Sequence, residues 1–241
     1  MLNIIITMAG LGSRFKKVGY TMPKYMIEAK GKTLFEWSMK SLQSFNKMNP
    51  KYYFIVRKED NSEEFIRIKC KELDIKNYEL MELDYCTSGQ AETAYISIER
   101  CNNSDEVMIY NIDTYINPNY LSYEDIKGDG CIPCFNAPGE HWSFAKTDSL
   151  GNVIEVREKT KISDNATLGV YYFRTAKLYI DLYRKFYIDD KNLEKNERYV
   201  APMYNQLIKN GGHVFITNVP YNEVDVLGTP EELQVFINKK D

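Results

Sequence analysis

The sequence predicts an α/β fold in one domain, built on a twisted, mainly parallel sheet with helices on its faces. Three observations carry that prediction. Strand-length apolar runs alternate with helix-length amphipathic runs through the first half of the chain, and such alternation implies parallel strands joined by right-handed crossovers. The first run, Leu2–Thr7, leads directly into the glycine-bearing stretch Met8-Ala9-Gly10-Leu11-Gly12-Ser13-Arg14-Phe15. The 241 residues suffice for one substantial core, and no repeat or linker divides them.

Each element follows from local pattern. Leu2–Thr7 is a buried strand, and Thr33 is the N-cap of a helix carrying Leu34, Trp37, Met39, Leu42 and Phe45. Residues 51–56 form a second strand, 63–73 a second helix and 78–83 a third strand. A helix over 89–100 turns Ala91, Ala94, Tyr95 and Ile98 inward, and a fourth strand, 106–112, ends in Asn111-Ile112-Asp113. The second half is less regular. Residues 131–135, 142–146, 153–157 and 167–173 read as strands, separated by the turn signals Asn136-Ala137-Pro138-Gly139 and Ser149-Leu150-Gly151-Asn152. Helices cover 175–186 and 201–209, residues 213–219 return to the sheet, and 230–237 close the chain as a helix. The charged stretch 189–198 reads as a solvated, mobile loop. The result is a Rossmann-like, parallel to mixed sheet.

Composition narrows the function. A formal net charge of −3 argues against a nucleic-acid-coating surface, so basic residues that matter should be local. Five cysteines, an odd number without regular spacing, do not suggest a secreted disulfide framework. Cys131-Ile132-Pro133-Cys134 has the spacing of a metal or redox pair, but it lies in an apolar strand-like run without a second pair. The apolar start lacks a basic flank and a cleavage site and is read as a strand rather than an export signal. No run approaches the about 18 apolar residues of a membrane span. A reducing cytoplasm is the expected compartment, with no membrane partner.

Chemistry concentrates after strand ends. Gly10 and Gly12 let backbone N–H groups approach an anion without side-chain obstruction. Arg14 and Lys24, the latter in Pro23-Lys24, add full positive charges. Together they point to a nucleoside triphosphate. In an open parallel sheet, ligands sit at the carboxyl ends of strands near a switch in strand order. Gly10, Arg14, the 87–92 loop and Asp113 all follow strand ends and can converge there.

In these segments the chain resembles the sugar-phosphate nucleotidyltransferases over nearly its whole length. The resemblance rests on Gly10-Leu11-Gly12-Ser13-Arg14, Pro23-Lys24, Ser88-Gly89-Gln90-Ala91-Glu92-Thr93, Asp113, Glu158-Lys159 and Asp225-Val226-Leu227-Gly228-Thr229-Pro230, in that order. Thr160 stands where the family often has proline, and Thr114-Tyr115 follows Asp113 where relatives often have an asparagine or a second aspartate. The resemblance implies a nucleotide-binding half (1–115) and an acceptor half (116–241). It also implies attack of a substrate phosphate on the α-phosphorus of a triphosphate, with pyrophosphate leaving. Arg14 would grip the β- and γ-phosphates, Lys24 the α-phosphate, and Lys159 the acceptor phosphate. Glu158 would orient Lys159 or meet acceptor hydroxyls. Asp113 and Asp225 would hold Mg²⁺, although both also fit as turn or helix-entry residues. Nucleotide contacts would come from Ala9, Gly10, Leu11, Gly12 and Ser13, with Thr87, Ser88, Gly89 and Gln90 at the base. Ser88 also fits as a helix cap ahead of Glu92. His141, Trp142, Gly169 and Tyr199 would line the acceptor pocket, with core packing an equal reading of Trp142 and Tyr199.

The short form of these motifs is most similar to capsule-associated cytidylyltransferases, of which a glycerol-2-phosphate enzyme is one. This implies CTP and a phosphorylated polyol or sugar on the way to surface polysaccharide. Thymidylyl, uridylyl or guanylyl transfer to a sugar 1-phosphate is the alternative within the family. A choline acceptor would need an aromatic cage, and 19 tyrosines with two tryptophans leave that open. The family's C-terminal extensions have no counterpart, so a monomer or homodimer is expected. Rival readings fit less of the chain. A dinucleotide fingerprint would need a third glycine at Phe15. A nucleotide-sugar-dependent glycosyltransferase would share Asp113, but such enzymes carry a second acid where Tyr115 stands and have no need of Arg14 and Lys24. A catalytically silent nucleotide sensor would have no use for the full set of cations and carboxylates.

Overall fold

The computed structural model describes residues 1–239, arranged around one ten-stranded sheet. In chain order the elements are β1 (Leu2–Thr7), α1 (Ser13–Lys17), β2 (Glu28–Ala29), β3 (Lys32–Thr33), α2 (Leu34–Ser41), β4 (Lys51–Arg57) and α3 (Glu63–Glu72). There follow β5 (Tyr78–Leu83), α4 (Gln90–Ile98), β6 (Glu106–Asn111), β7 (Thr114–Ile116), β8 (Gly130–Phe135), β9 (Ser143–Thr147) and β10 (Val153–Glu158). The chain closes through β11 (Ala166–Thr167), β12 (Val170–Phe173), α5 (Ala176–Phe186), α6 (Met203–Lys209), β13 (Val214–Asn218), β14 (Val224–Val226) and α7 (Pro230–Asn238).

Period-two alternation sets the layers. Leu2, Ile4 and Ile6 of β1 and Tyr52, Phe54 and Val56 of β4 enter a core with Phe35, Met39, Ile66 and Cys70 of α2 and α3. Their neighbours Ile5, Tyr53 and Ile55 enter a second core on the other face, with Ala91, Ala94, Tyr179, Leu182 and Tyr204 of α4, α5 and α6. Strands buried on both faces explain why these runs are continuously apolar. A third, smaller core joins Phe15 of α1, Leu34, Leu227 and the α7 residues Leu233 and Phe236. It packs α1 and α7, from opposite ends of the sequence, into one cluster.

Strand order is β10-β9-β11-β8-β12-β6-β1-β4-β5, with β13 beside β8. The strands β5, β4, β1 and β6 are mutually parallel, and β12 opens an antiparallel region against β6. The chain builds outward from β1 through β4 to β5, then returns to the other side of β1 as β6. That reversal places a crevice at the carboxyl ends of β1 and β6.

The α/β class is as the sequence predicts, and most differences lie at breaks. The helix capped by Thr33 ends at Ser41, and Phe45 sits in a separate 3₁₀ stretch, Gln43–Met48. The strand expected over 167–173 is two strands, because Gly169 takes φ 73° between them. Residues 189–198 form the exposed segment expected, but its end is pinned: Arg198 N–H donates to Ser88 O at 2.7 Å and Arg198 O accepts from Ala91 N–H at 2.9 Å. α1, the β2–β3 hairpin and the β7–β14 pair carry too few residues for a readable period. Cys131 and Cys134, three apart on β8, enter opposite cores, so they do not face one common ion. Burial pushes both thiols up from their ordinary value. No helix among the described residues is long and apolar enough to cross a membrane.

Candidate active site

A cleft of ≈ 1110 Å³ lies over the crevice and extends to the ends of β10 and β11. At its floor the chain leaves β1, and Gly12, in the left-handed region at φ 61°, caps α1. Buried Phe15 anchors that short helix against Tyr20, with ring centroids 5.4 Å apart. Arg14, one residue before this anchor, is exposed at the cleft and has no protein hydrogen bond or ion pair among the described residues. A Cβ on Gly10 would meet nothing within 4 Å, so the fold leaves that side of the loop open to a ligand.

Lys24 begins a 3₁₀ turn, Lys24–Met26, behind Pro23. The turn is pinned by buried Tyr25, whose hydroxyl meets Ser62 and Asp60. Lys24 Nζ reaches Asp113 Oδ2 at 2.6 Å. Asp113 follows β6 and is fixed through its backbone, its carbonyl accepting from Leu227 N–H at 2.8 Å. Lys24 and Asp113 are thus counter-ions, each about a fifth to a quarter exposed.

The 87–90 loop lines the adjoining wall. The α4 N-cap is Gly89, not Ser88; the Ser88 N–H and hydroxyl both donate to the Glu92 carboxylate. Thr87 pairs with Thr93 at 2.6 Å, and the Gln90 amide donates to Asn111. Gly89 has φ 138°, and a Cβ there would sit 2.6 Å from Arg198 O, so only glycine permits the stitch to the 189–198 segment. Gly169 is constrained likewise, since its Cβ would meet Asn111 Nδ2 at 2.5 Å.

The far end of the cleft, at β10, is prearranged by its own side chains. Glu158, at the end of β10, is 8% exposed and accepts from Ser143, its cross-strand neighbour. Burial raises the Glu158 carboxyl, and the Ser143 bond and Lys159 charge only partly oppose it. Lys159 takes φ 51°, a left-handed conformation costing about 1–2 kcal/mol in a residue with a Cβ. Its Nζ donates to Tyr199 Oη at 2.6 Å and lies 3.4 Å from Glu158 Oε1. Burial alone would lower the Lys159 value, but Tyr199 and Glu158 together hold it above the ordinary lysine range. The His141 and Trp142 rings lie 4.2 Å apart between centroids, tilted by 38°, and Trp142 Nε1 donates to Pro138 O at 3.0 Å.

Every predicted site residue but one lines this cleft. Asp225 does not, which corrects its expected place beside Asp113. In the β7–β14 ladder Thr114 pairs with Val226 and Tyr115 with Asp225. Cross-strand partners share a face; Thr114 and Val226 face the cleft, so Asp225 faces away with Tyr115. There it ion-pairs with Lys239 at 2.8 Å. Sequence reasoning did not select Asn111, Ser143 or Glu232, all of which line the cleft. Asn111 was within reach, because it lies two residues before Asp113 at a strand end.

Fold and site together define an α/β protein of nucleotide-binding architecture, with a cleft of paired cations and carboxylates at the switch point of its sheet. A nucleoside-diphosphate-sugar pyrophosphorylase from Vibrio cholerae RC9 shares 35% identity with this chain at a TM-score of 0.90, over 98% of this chain and 100% of its own. The chain belongs to the sugar-phosphate nucleotidyltransferase family. Two further structures show likeness of fold alone. An inositol-1-phosphate CTP transferase from T. maritima has 14% identity and TM-score 0.75, over 99% of this chain and 96% of its own. The CTP:phosphocholine cytidylyltransferase LicC from Streptococcus pneumoniae has 18% and 0.75, over 98% and 97%. No family model and no curated protein matches the chain.

Proposed function

We propose that this protein transfers a nucleotidyl group, with CTP favoured, to a small phosphorylated polyol or sugar and releases pyrophosphate. The product would be an activated precursor for surface polysaccharide, made in the cytoplasm. The observation that carries this reading is the meeting of Arg14, Lys24, Asp113 and Lys159 around a single cleft. Two of the fold neighbours use CTP according to their names, which supports the choice of base.

The chemistry asks little proton transfer of the protein. A phosphate monoester is largely dianionic near neutral pH, with a second pKa of about 6. One of its oxygens bonds to the α-phosphorus while the bond from that phosphorus to the β-bridging oxygen breaks, and the electron pair leaves on pyrophosphate. The barrier lies in aligning two polyanions and stabilising charge on the equatorial and leaving oxygens. Lys159, held protonated, takes the acceptor phosphate. Lys24 lies where the α-phosphate charge develops, and Arg14 offers its planar fork to the outer phosphates. Asp113 suits Mg²⁺, which binds through one or two carboxylates plus phosphate oxygens. The side-chain-free position at Gly228, where a Cβ would lie 3.1 Å from Asp113 Oδ2, leaves space beside that carboxylate. When bound, the ion would supply positive charge to the phosphate oxygens.

A pyrophosphate-release screen of CTP, UTP, dTTP and GTP against polyol phosphates, sugar phosphates and phosphocholine tests this. The expected result is release with CTP and a polyol or sugar phosphate. Silence across the panel, or hydrolysis of a nucleotide sugar instead, would overturn the reading.

A further inference from the structure

Two helices of this protein begin with the same Thr-x-x-Glu spacing but use the glutamate differently. At α2 the capping box is complete. Thr33 Oγ1 accepts from Glu36 N–H at 3.2 Å, and Glu36 Oε2 accepts from Thr33 N–H at 2.8 Å. At α7, Thr229 Oγ1 accepts from Glu232 N–H at 3.1 Å, but the Glu232 carboxylate does not return to the cap. It has no hydrogen bond or ion pair to any described residue and lines the cleft. A Cβ on Gly228 would lie 3.1 Å from Asp113 Oδ2 and 3.5 Å from Glu232 Oε2. The two carboxylates therefore flank one position from which the sequence has removed the side chain.

We propose that Glu232, with Asp113, holds the divalent cation of the nucleotide end, the role that resemblance assigned to Asp225. The inference rests on the nucleotidyl-transfer reading. Two carboxylates converging on a small gap repel unless a cation stands between them. Lys24 supplies one positive charge to Asp113, and Glu232 has no ion-pair partner among the described residues. Oxygen donors in that number suit Mg²⁺, whose remaining positions go to phosphate and water. Asp225 is excluded by strand register, not by distance along the chain, because its face of the ladder carries Tyr115 and Lys239.

The test titrates Mn²⁺, followed by the free-ion paramagnetic resonance signal, into the full-length protein with CTP and no acceptor. UTP, dTTP and GTP are run in parallel. Glu232→Gln should weaken Mn²⁺ binding about tenfold or more, leaving CTP affinity in EDTA and the melting temperature unchanged. Gly228→Ala, whose methyl fills the gap without demanding an unusual φ, should weaken it as well. Asp225→Asn should bind Mn²⁺ like the wild type. Wild-type Mn²⁺ affinity in both Glu232→Gln and Gly228→Ala, or its loss in Asp225→Asn, overturns the assignment. Loss of CTP affinity in EDTA on Glu232→Gln overturns it too, making Glu232 a nucleotide contact. Pyrophosphate release by the wild type judges the transfer reading separately, so the two can fail independently.

Discussion

The Arg14 end and the Lys159 end of the cleft hold their cations in opposite ways. The Arg14 side chain stands exposed with no hydrogen-bond or ion-pair partner among the described residues, and Lys24 leans on one partly exposed carboxylate. Lys159 is instead bound on arrival, to Tyr199 and to Glu158, which is itself buried against Ser143. Its backbone is strained to reach that place. On the proposed reading, the difference teaches that the Arg14 end would leave its charges for a triphosphate to neutralise, while the Lys159 end is preorganised. Changes at the first end should therefore affect turnover and spare the fold. Changes at the second should affect acceptor affinity and stability together.

The largest effect is expected from Asp113→Asn. Losing the carboxylate should remove about 4 kcal/mol of transition-state stabilisation, roughly a thousandfold in kcat, with the melting temperature preserved. Full turnover in Mg²⁺ buffer would break the assignment. Lys24→Ala comes next, with kcat down about 100-fold and triphosphate KM changed far less; a pure affinity loss would move Lys24 to ground-state binding. Lys159→Ala should raise the acceptor KM about 10- to 100-fold, the worth of a charge-assisted hydrogen bond. In the wild type the acceptor KM should fall as pH rises through about 6, where the phosphate loses its second proton. It should then stay flat through pH 9, because the Lys159 value is held up. A KM rising between pH 7 and 9 would contradict that.

The smallest effect sharpens the comparison through stability. Burial raises the Glu158 carboxyl, so its contribution is fully present below the ordinary glutamate range. It is lost as pH rises through the raised value. Glu158→Gln should escape that loss and gain on the wild type in urea midpoints between pH 4 and 7. A constant difference across that range would show that Glu158 does not titrate as a buried acid.

Legibility followed the length of local pattern. β1 and β4 could be read because both faces are buried and their runs are almost wholly apolar. The cap at Thr33 could be read from residue type alone, whereas Thr175, expected inside its helix, proves to be its cap. The break at Gly169 could not, since it depends on Asn111 lying against the glycine from a strand some sixty residues away. The docking of Arg198 on Gly89 is hidden for the same reason: charged residues in a row read as solvated, and backbone hydrogen bonds leave no trace in side-chain pattern.

From the sequence alone came the alternation of strands and helices, the loops that follow strand ends, and the kinds of charge those loops carry. These depend on periodicity and on residue chemistry, which are local. Which carboxylate stands with Asp113 was decided only in three dimensions. A three-residue ladder against β7 turns Asp225 outward, and α7 packing turns Glu232 inward. A strand shifted by a single residue exchanges its faces, and nothing in so short a stretch of sequence records which face was chosen.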